Sequence, residues 1–313
     1  MVDLRTDLGR GLVLANPVMP ASGTFAEGLA DVIDLNTLGA LVTKTITAEL
    51  RGGNATPRVA EVGNGMLNSI GIPSKGIAHF LAETLPFYRS FASPLIVSVS
   101  APTIAEFAQA AAQLNQPGIA GIEANISCPN IEEDGKAFAM RPATTEQAIA
   151  AMRAVTDLPL WAKLTPNTGD IAGVARAAEA AGADAVVVAN TILAMSIDID
   201  TMRPTLGNIM GGLSGPAFKP IALRMTYQCA RAVRIPVIGC GGISSARDAV
   251  EFLLAGARAV QIGTATFTRP GTMPEVIAGL AQYCERHGFT SLDQLIGALD
   301  TDMQLPHLME AAQ

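Results

Sequence analysis

The chain has 313 residues, 49% of them hydrophobic and 16% charged, which is enough apolar material for a large core and too little charge for a disordered chain. Its 21 Lys and Arg against 28 Asp and Glu give a formal net charge of −7, which argues against nucleic acid, a partner that needs basic patches. No run approaches the roughly 18 apolar residues of a bilayer span, the opening MVDLRTDLGRGLVL does not read as a secretory signal, and the four cysteines show no CxxC pairing. A cytoplasmic protein with reduced thiols and no metal site of its own is expected.

In chain order, residues 4–14 around Gly9-Arg10-Gly11 read as a hairpin placed to plug the N-terminal mouth of a barrel. Eight short apolar runs follow, at 18–21, 40–43, 95–99, 121–126, 160–164, 185–189, 237–239 and 259–262. Ala-rich helical patterns alternate with them at 104–114, 145–155, 171–181, 216–233, 246–255 and 274–287. Ala181-Gly182-Ala183 and Ala255-Gly256-Ala257 place glycine where a helix needs a left-handed residue before the next strand. Aromatics are only 4%, so small aliphatic residues must fill the core, as suits parallel strands buried on both faces. Alternating βα units over this length predict a single (β/α)8 barrel domain covering 1–313, with inserted loops at its C-terminal face. The stretches 48–76 and 129–142 are long and aperiodic, and the second is a candidate lid containing Gly135. A doubly wound sheet is the alternative, but no GxGxxG opens a helix after the first strand.

A barrel gathers its working residues at the C-terminal ends of the strands. Reading just past each run yields Ser22, Lys44-Thr45, Ser98, 125–130, Lys163, Asn190-Thr191, Gly241-Gly242 and Gly263-Thr264. Lys44 and Lys163 sit in apolar surroundings (LVTKT and LWAKLT), where a lysine needs an anionic companion. Cys128 lies between Asn125 and Asn130 at a strand end, and a thiolate favoured by nearby cations can serve as a general base. Cys229, Cys240 and Cys284 fit the role of small buried hydrophobes better. Asn68, Asn125, Asn130 and Asn190 each carry an amide able to read both edges of a flat polar heterocycle, or to cap an ordinary turn. VIGCGGIS (237–244) and QIGTATF (261–267) follow the seventh and eighth runs, where many barrels bind phosphate through backbone N–H groups, and GGLSG (211–215) is placed to join them.

Taken together, NPVMPASGTF (16–25), GALVTKTITAELRGGNATPR (39–58), GMLNSIG (65–71), ANISCPN (124–130), NTILAM (190–195), GGLSGPAFKPIALRM (211–225) and VIGCGGISSARDAVEFLLAGA (237–257) resemble the class 1 dihydroorotate dehydrogenases. The closest likeness is to the class 1B, NAD-linked catalytic subunit. The resemblance spans nearly the whole chain and implies a TIM barrel that binds FMN and oxidises dihydroorotate to orotate in pyrimidine biosynthesis. It makes Cys128 the base for the C5 proton. It makes Ser22, Lys44, Thr45, Ser98, Asn125, Lys163, Ala189, Gly215, Gly241, Gly242, Gly263 and Thr264 the cofactor contacts. Substrate contacts fall on Lys44, Asn68, Ser69, Ile70, Gly71, Ile72, Asn125, Asn130, Asn190 and Thr191. Ser98 stands where the family usually has Asn, and Ala189 where a larger aliphatic is usual. Class 2 members use serine as base and carry an N-terminal membrane helix.

The class 1B likeness further implies a homodimeric core with a partner subunit carrying FAD and a 2Fe-2S cluster, a heterotetramer that passes electrons to NAD. A class 1A-like homodimer using fumarate is the alternative, as is a related barrel acting on dihydropyrimidines, for which Lys44 would matter less. A phosphate-ligand-binding barrel without chemistry is the third.

Overall fold

The computed structural model describes residues 2–127 and 137–301. Cys128, Asn130 and most of the candidate lid at 129–142 lie outside the described residues. Eight parallel strands form one sheet curled into a barrel: β1 (Val18–Pro20), β2 (Leu41–Val42), β3 (Leu95–Val99), β4 (Gly121–Ala124), β5 (Leu160–Lys163), β6 (Ala185–Val188), β7 (Val237–Cys240) and β8 (Ala259–Ile262). Each falls on one of the expected runs. Strand β8 pairs back onto β1 (Val260 opposite Val18), while β1 and β2 are joined by single bonds, Gly39 N–H to Val18 O at 2.8 Å and Thr45 N–H to Ser22 O at 3.1 Å.

The strands are buried on both faces, in keeping with their largely apolar runs. One face packs under helices that include Ile104–Gln113, Pro142–Arg153, Ile171–Ala180, Lys219–Ala230, Ala246–Leu254 and Thr272–Arg286. Side-chain oxygens of Thr103, Asp170 and Ser245 cap three of them by accepting backbone N–H groups. The other face fills the barrel with Met19, Val42, Ile96, Trp161, Val187, Ile238 and Ala259. Leu8 and Leu14, from the expected hairpin (Thr6–Asp7 with Val13–Leu14), are fully buried in that same cluster. The hairpin is thus the barrel's plug.

Two insertions depart from the sequence expectation. The stretch 48–76, read as aperiodic, contains the strands Val59–Val62 and Gly65–Asn68, and the chain after β6 contains Ile192–Met195 and Met210–Ser214. They form one antiparallel sheet in the order Ile192–Met195, Met210–Ser214, Gly65–Asn68, Val59–Val62. Strands this short, with glycines inside, leave no readable period of two. The glycines allow close approach: a Cβ on Gly212 would collide with Thr191. The sheet ties the loops after β2 and β6 together at the C-terminal mouth.

Candidate active site

A cavity of about 1390 Å³ opens at this mouth. Pockets for a single small ligand usually run from roughly 300 to 1,000 Å³, so there is room for a cofactor and a second small molecule.

Its floor follows from the two-residue period of the strands. Moving two residues along β3, β5 and β8 exchanges the apolar Ile96, Trp161 and Ala259 for Ser98, Lys163 and Gln261, and β4 adds Glu123. All four polar groups are nearly or wholly buried. The Lys163 ammonium donates to Gln261 Oε1 at 2.9 Å and Ser22 Oγ at 3.2 Å, and forms an ion pair with Glu123 Oε1 at 3.8 Å. Gln261 Nε2 donates to Glu123 Oε2 at 2.6 Å, and Ser98 Oγ to Glu123 Oε1 at 3.0 Å. A buried cation is therefore held at the cavity with its counter-charge behind it.

Amides form the next layer. Asn125 Nδ2 donates to Thr45 Oγ1 at 3.2 Å, Ser127 Oγ donates to Asn125 Oδ1 at 2.5 Å, and Asn190 Nδ2 donates to Ser127 Oγ. Thr191 N–H in turn donates to Asn190 Oδ1 at 2.8 Å. Across the cavity stands the end of the inserted sheet, Asn68 to Ile72. Asn68 Nδ2 reaches Gly212 O at 3.3 Å, and Ser69 Oγ accepts from Asn54 Nδ2 at 2.8 Å. Ile72 has φ 49°, a conformation a β-branched residue rarely adopts, at the point where the chain bends beside the cavity. Lys44 also lines the wall.

The far end is a glycine cradle. The loop after β7 puts Gly242 at φ 70°, and a Cβ there would stand 2.6 Å from Gly215 O, so only glycine lets the two loops meet. Asp248 fastens this loop, accepting from Ser244 N–H at 3.0 Å, Ser244 Oγ and Ser245 Oγ at 2.9 Å, and Lys219 Nζ at 2.7 Å. Burial works against its ionisation, but the Lys219 ammonium and the serine donors outweigh it and hold the carboxyl below the usual range. Thr264 Oγ1 donates to Ser214 Oγ or accepts from it at 2.8 Å, and Arg269 Nη2 donates to Ser244 O at 2.8 Å, which joins the loops after β7 and β8.

Ser22, Lys44, Thr45, Asn125, Lys163, Ala189, Gly215, Gly241, Gly242, Gly263 and Thr264 line this one cavity, together with Asn68, Ser69, Ile70, Gly71, Ile72, Asn190 and Thr191. Cys128 and Asn130 lie outside the described residues, although Ser127, the residue before Cys128, lines the cavity. Ser98 is not among the lining residues. It is wholly buried behind the lining, and its hydroxyl is engaged by Glu123 and Thr45. Sequence reading passed over Glu123 and gave no role of their own to Gln261 and Ser127, which lie within the stretches 261–267 and 125–130. The signal was available for the first: an acid inside the apolar run GIEAN, two residues before Asn125 on the same face of its strand.

Fold and site together define an α/β barrel protein with a large cavity, lined by polar and glycine residues, at its C-terminal mouth. The family model for dihydroorotate dehydrogenase matches residues 6–283, and the chain belongs to that family. It is 48% identical to the dihydroorotate dehydrogenase B (NAD(+)) catalytic subunit of Pelobacter propionicus over 93% of this chain and 96% of the relative. It is likewise 48% identical to the catalytic subunit of the same name from Thermoanaerobacter sp. strain X514, over 96% of this chain and all of the relative. Among the described residues no helix is long and apolar enough to cross a membrane.

Proposed function

We propose that the chain oxidises dihydroorotate to orotate in pyrimidine (UMP) biosynthesis, with FMN as its own cofactor and Cys128 as base. The observation that carries the reading is a single cavity that joins the glycine cradle, the buried Lys163 and the amide layer of Asn125, Ser127 and Asn190. The residues fit FMN. Gly215, Gly241, Gly242, Gly263 and Thr264 form a concave backbone surface suited to a phosphate, and Ser22, Thr45 and Lys163 offer polar atoms to a ring. When bound, FMN supplies the acceptor for the hydride leaving C6 of the substrate.

The chain's own residues supply the rest. Cys128, adjoining Ser127 in sequence, removes the C5 proton, so that the C5–C6 double bond of orotate forms. The Lys44 ammonium meets the substrate carboxylate, and Asn68, Asn125, Asn130 and Asn190 present donors and acceptors to the imide edge. Lys163 would offer a positive charge to a flavin held in the cavity, which would favour its reduction. Its counter-ion Glu123 offsets the cost of burying that charge.

A second chain carrying FAD and a 2Fe-2S cluster would link the enzyme to NAD, in a heterotetramer built on a homodimer. Two observations support this. The relatives are named as catalytic subunits. In addition, Leu193, Met195 and Met210 expose an apolar face on the inserted sheet of the kind protein partners cover. The test is the visible spectrum of the purified chain mixed anaerobically with dihydroorotate. The bound flavin should bleach in the native chain, and at least about a hundredfold more slowly in Cys128→Ala. A flavin that dihydroorotate leaves unbleached would sink the proposal.

A further inference from the structure

The hydrogen bonds on the cavity floor have a direction, set at one end by the Thr191 N–H that donates to Asn190 Oδ1 and at the other by Glu123. Ser98 has a single hydroxyl proton, and it goes to Glu123 Oε1. The 3.0 Å bond between Thr45 Oγ1 and Ser98 Oγ must therefore be donated by Thr45. Thr45, having spent its proton, accepts from Asn125 Nδ2, which turns Asn125 Oδ1 toward Ser127. Ser127 donates to that oxygen and so can only accept from Asn190 Nδ2. From the other side, Lys163 donates to Gln261 Oε1, and Gln261 Nε2 donates to Glu123 Oε2. Two chains of donors, one from the amides and one from the lysine, end on the same wholly buried carboxylate.

We infer that Glu123 is a positioning residue: as the common acceptor at which both chains end, it holds the Asn125 and Asn190 amides in the sense that Thr191 N–H fixes from the far end, and it sets the seat of Lys163. The inference rests on the function proposed above, because those amides and that lysine are taken there to meet substrate and flavin. Glu123 touches neither directly. It acts through Ser98 and Thr45 in one direction and through Gln261 in the other.

Proton counting makes the inference sharp. An amide at 123 has one acceptor atom where the carboxylate has two. If its oxygen faces Ser98, its nitrogen faces Gln261 Nε2, and turning Gln261 sets that N–H group against the Lys163 ammonium. If its oxygen faces Gln261, its nitrogen faces Ser98, whose proton must swing to Thr45. The Thr45 proton then opposes Asn125 Nδ2. Either way one arm breaks, although size and shape are unchanged. Exchanging the two groups, as in Glu123→Gln with Gln261→Glu, restores both. The amide at 123 accepts from Ser98 and donates to the new carboxylate, which accepts from Lys163.

The experiment uses the flavin-loaded chain, with orotate titrated against the flavin spectrum and the flavin reduction potential measured alongside. Glu123→Gln should weaken orotate binding about tenfold or more, or shift the flavin spectrum and potential, as its amide settles one way or the other. The exchanged double variant should bring both readouts back toward wild type, which mere loss of packing would not allow. Ser98→Ala, which cuts only the amide arm, should weaken orotate and leave the flavin potential alone. Should Glu123→Gln not fold, the double variant and Ser98→Ala carry the test. Wild-type readouts in a folded Glu123→Gln, a folded double variant without recovery, or Ser98→Ala with unaltered orotate affinity would each overturn the inference. A wild-type chain that binds neither flavin nor orotate would instead refute the proposed function.

Discussion

Lys163 is 3% exposed and reaches the cavity only through a tip that Ser22, Gln261 and Glu123 surround. Removing the cation leaves the Glu123 charge buried without its partner, which costs far more than the pair contributes when intact. Lys163→Met should therefore lower unfolding stability by about 3–5 kcal/mol in urea titration as well as loosen flavin. The thiols are separated by the same physics. Burial pushes Cys229 up to about 12 and raises Cys240 and Cys284 as well, so few thiolates form at these positions near neutral pH. Native protein at pH 8 should thus be alkylated first at Cys128, as mapped by mass spectrometry. Bound orotate should slow that labelling, and early modification of Cys229 or Cys284 would contradict the assignment.

The loop after β7 depends on one carboxylate at the element scale. Asp248 gathers Ser244, Ser245 and Lys219 at the start of helix Ala246–Leu254, and the loop it fastens presses Gly242 onto Gly215. Its native ionisation lies below the unfolded value of about 3.9. The stability it contributes is then fully present above that pH and is lost as pH falls through the native value. Flavin retention on gel filtration should accordingly drop in acid below about pH 4. Asp248→Asn should release flavin more readily at neutral pH and lose that acid step. The eight strands and the helices over them could be read from the sequence because the strands are mostly apolar runs and the helices 3.6-residue patterns, two of them ended by glycine at Gly182 and Gly256. The inserted sheet could not. Its strands are four or five residues long, half exposed, and paired between segments more than a hundred residues apart.

For the whole molecule, the barrel and its plug bring residues from β1 to β8 around one cavity, and nothing among the described residues groups the acids, histidines or cysteines that would hold a metal ion. If the proposed route for electrons holds, the isolated chain should bleach with dihydroorotate yet reduce NAD only when the second subunit is added, as followed by NADH absorbance. Rapid NADH formation by the chain alone would contradict that division of labour.

By itself the sequence determined the barrel, the strand ends and most of the residues that meet there, because burial on both strand faces and the period of two leave their mark on neighbouring positions. It also singled out Ser98 as unusual, without its role. Only the tertiary structure decided that Ser98 stands behind the lining, and that Glu123 gathers two chains of donors from opposite sides of the barrel. The reason is physical: hydrogen-bond direction depends on which groups are within about 3 Å in space. Ser98, Glu123, Lys163 and Gln261 come together only once the sheet has closed.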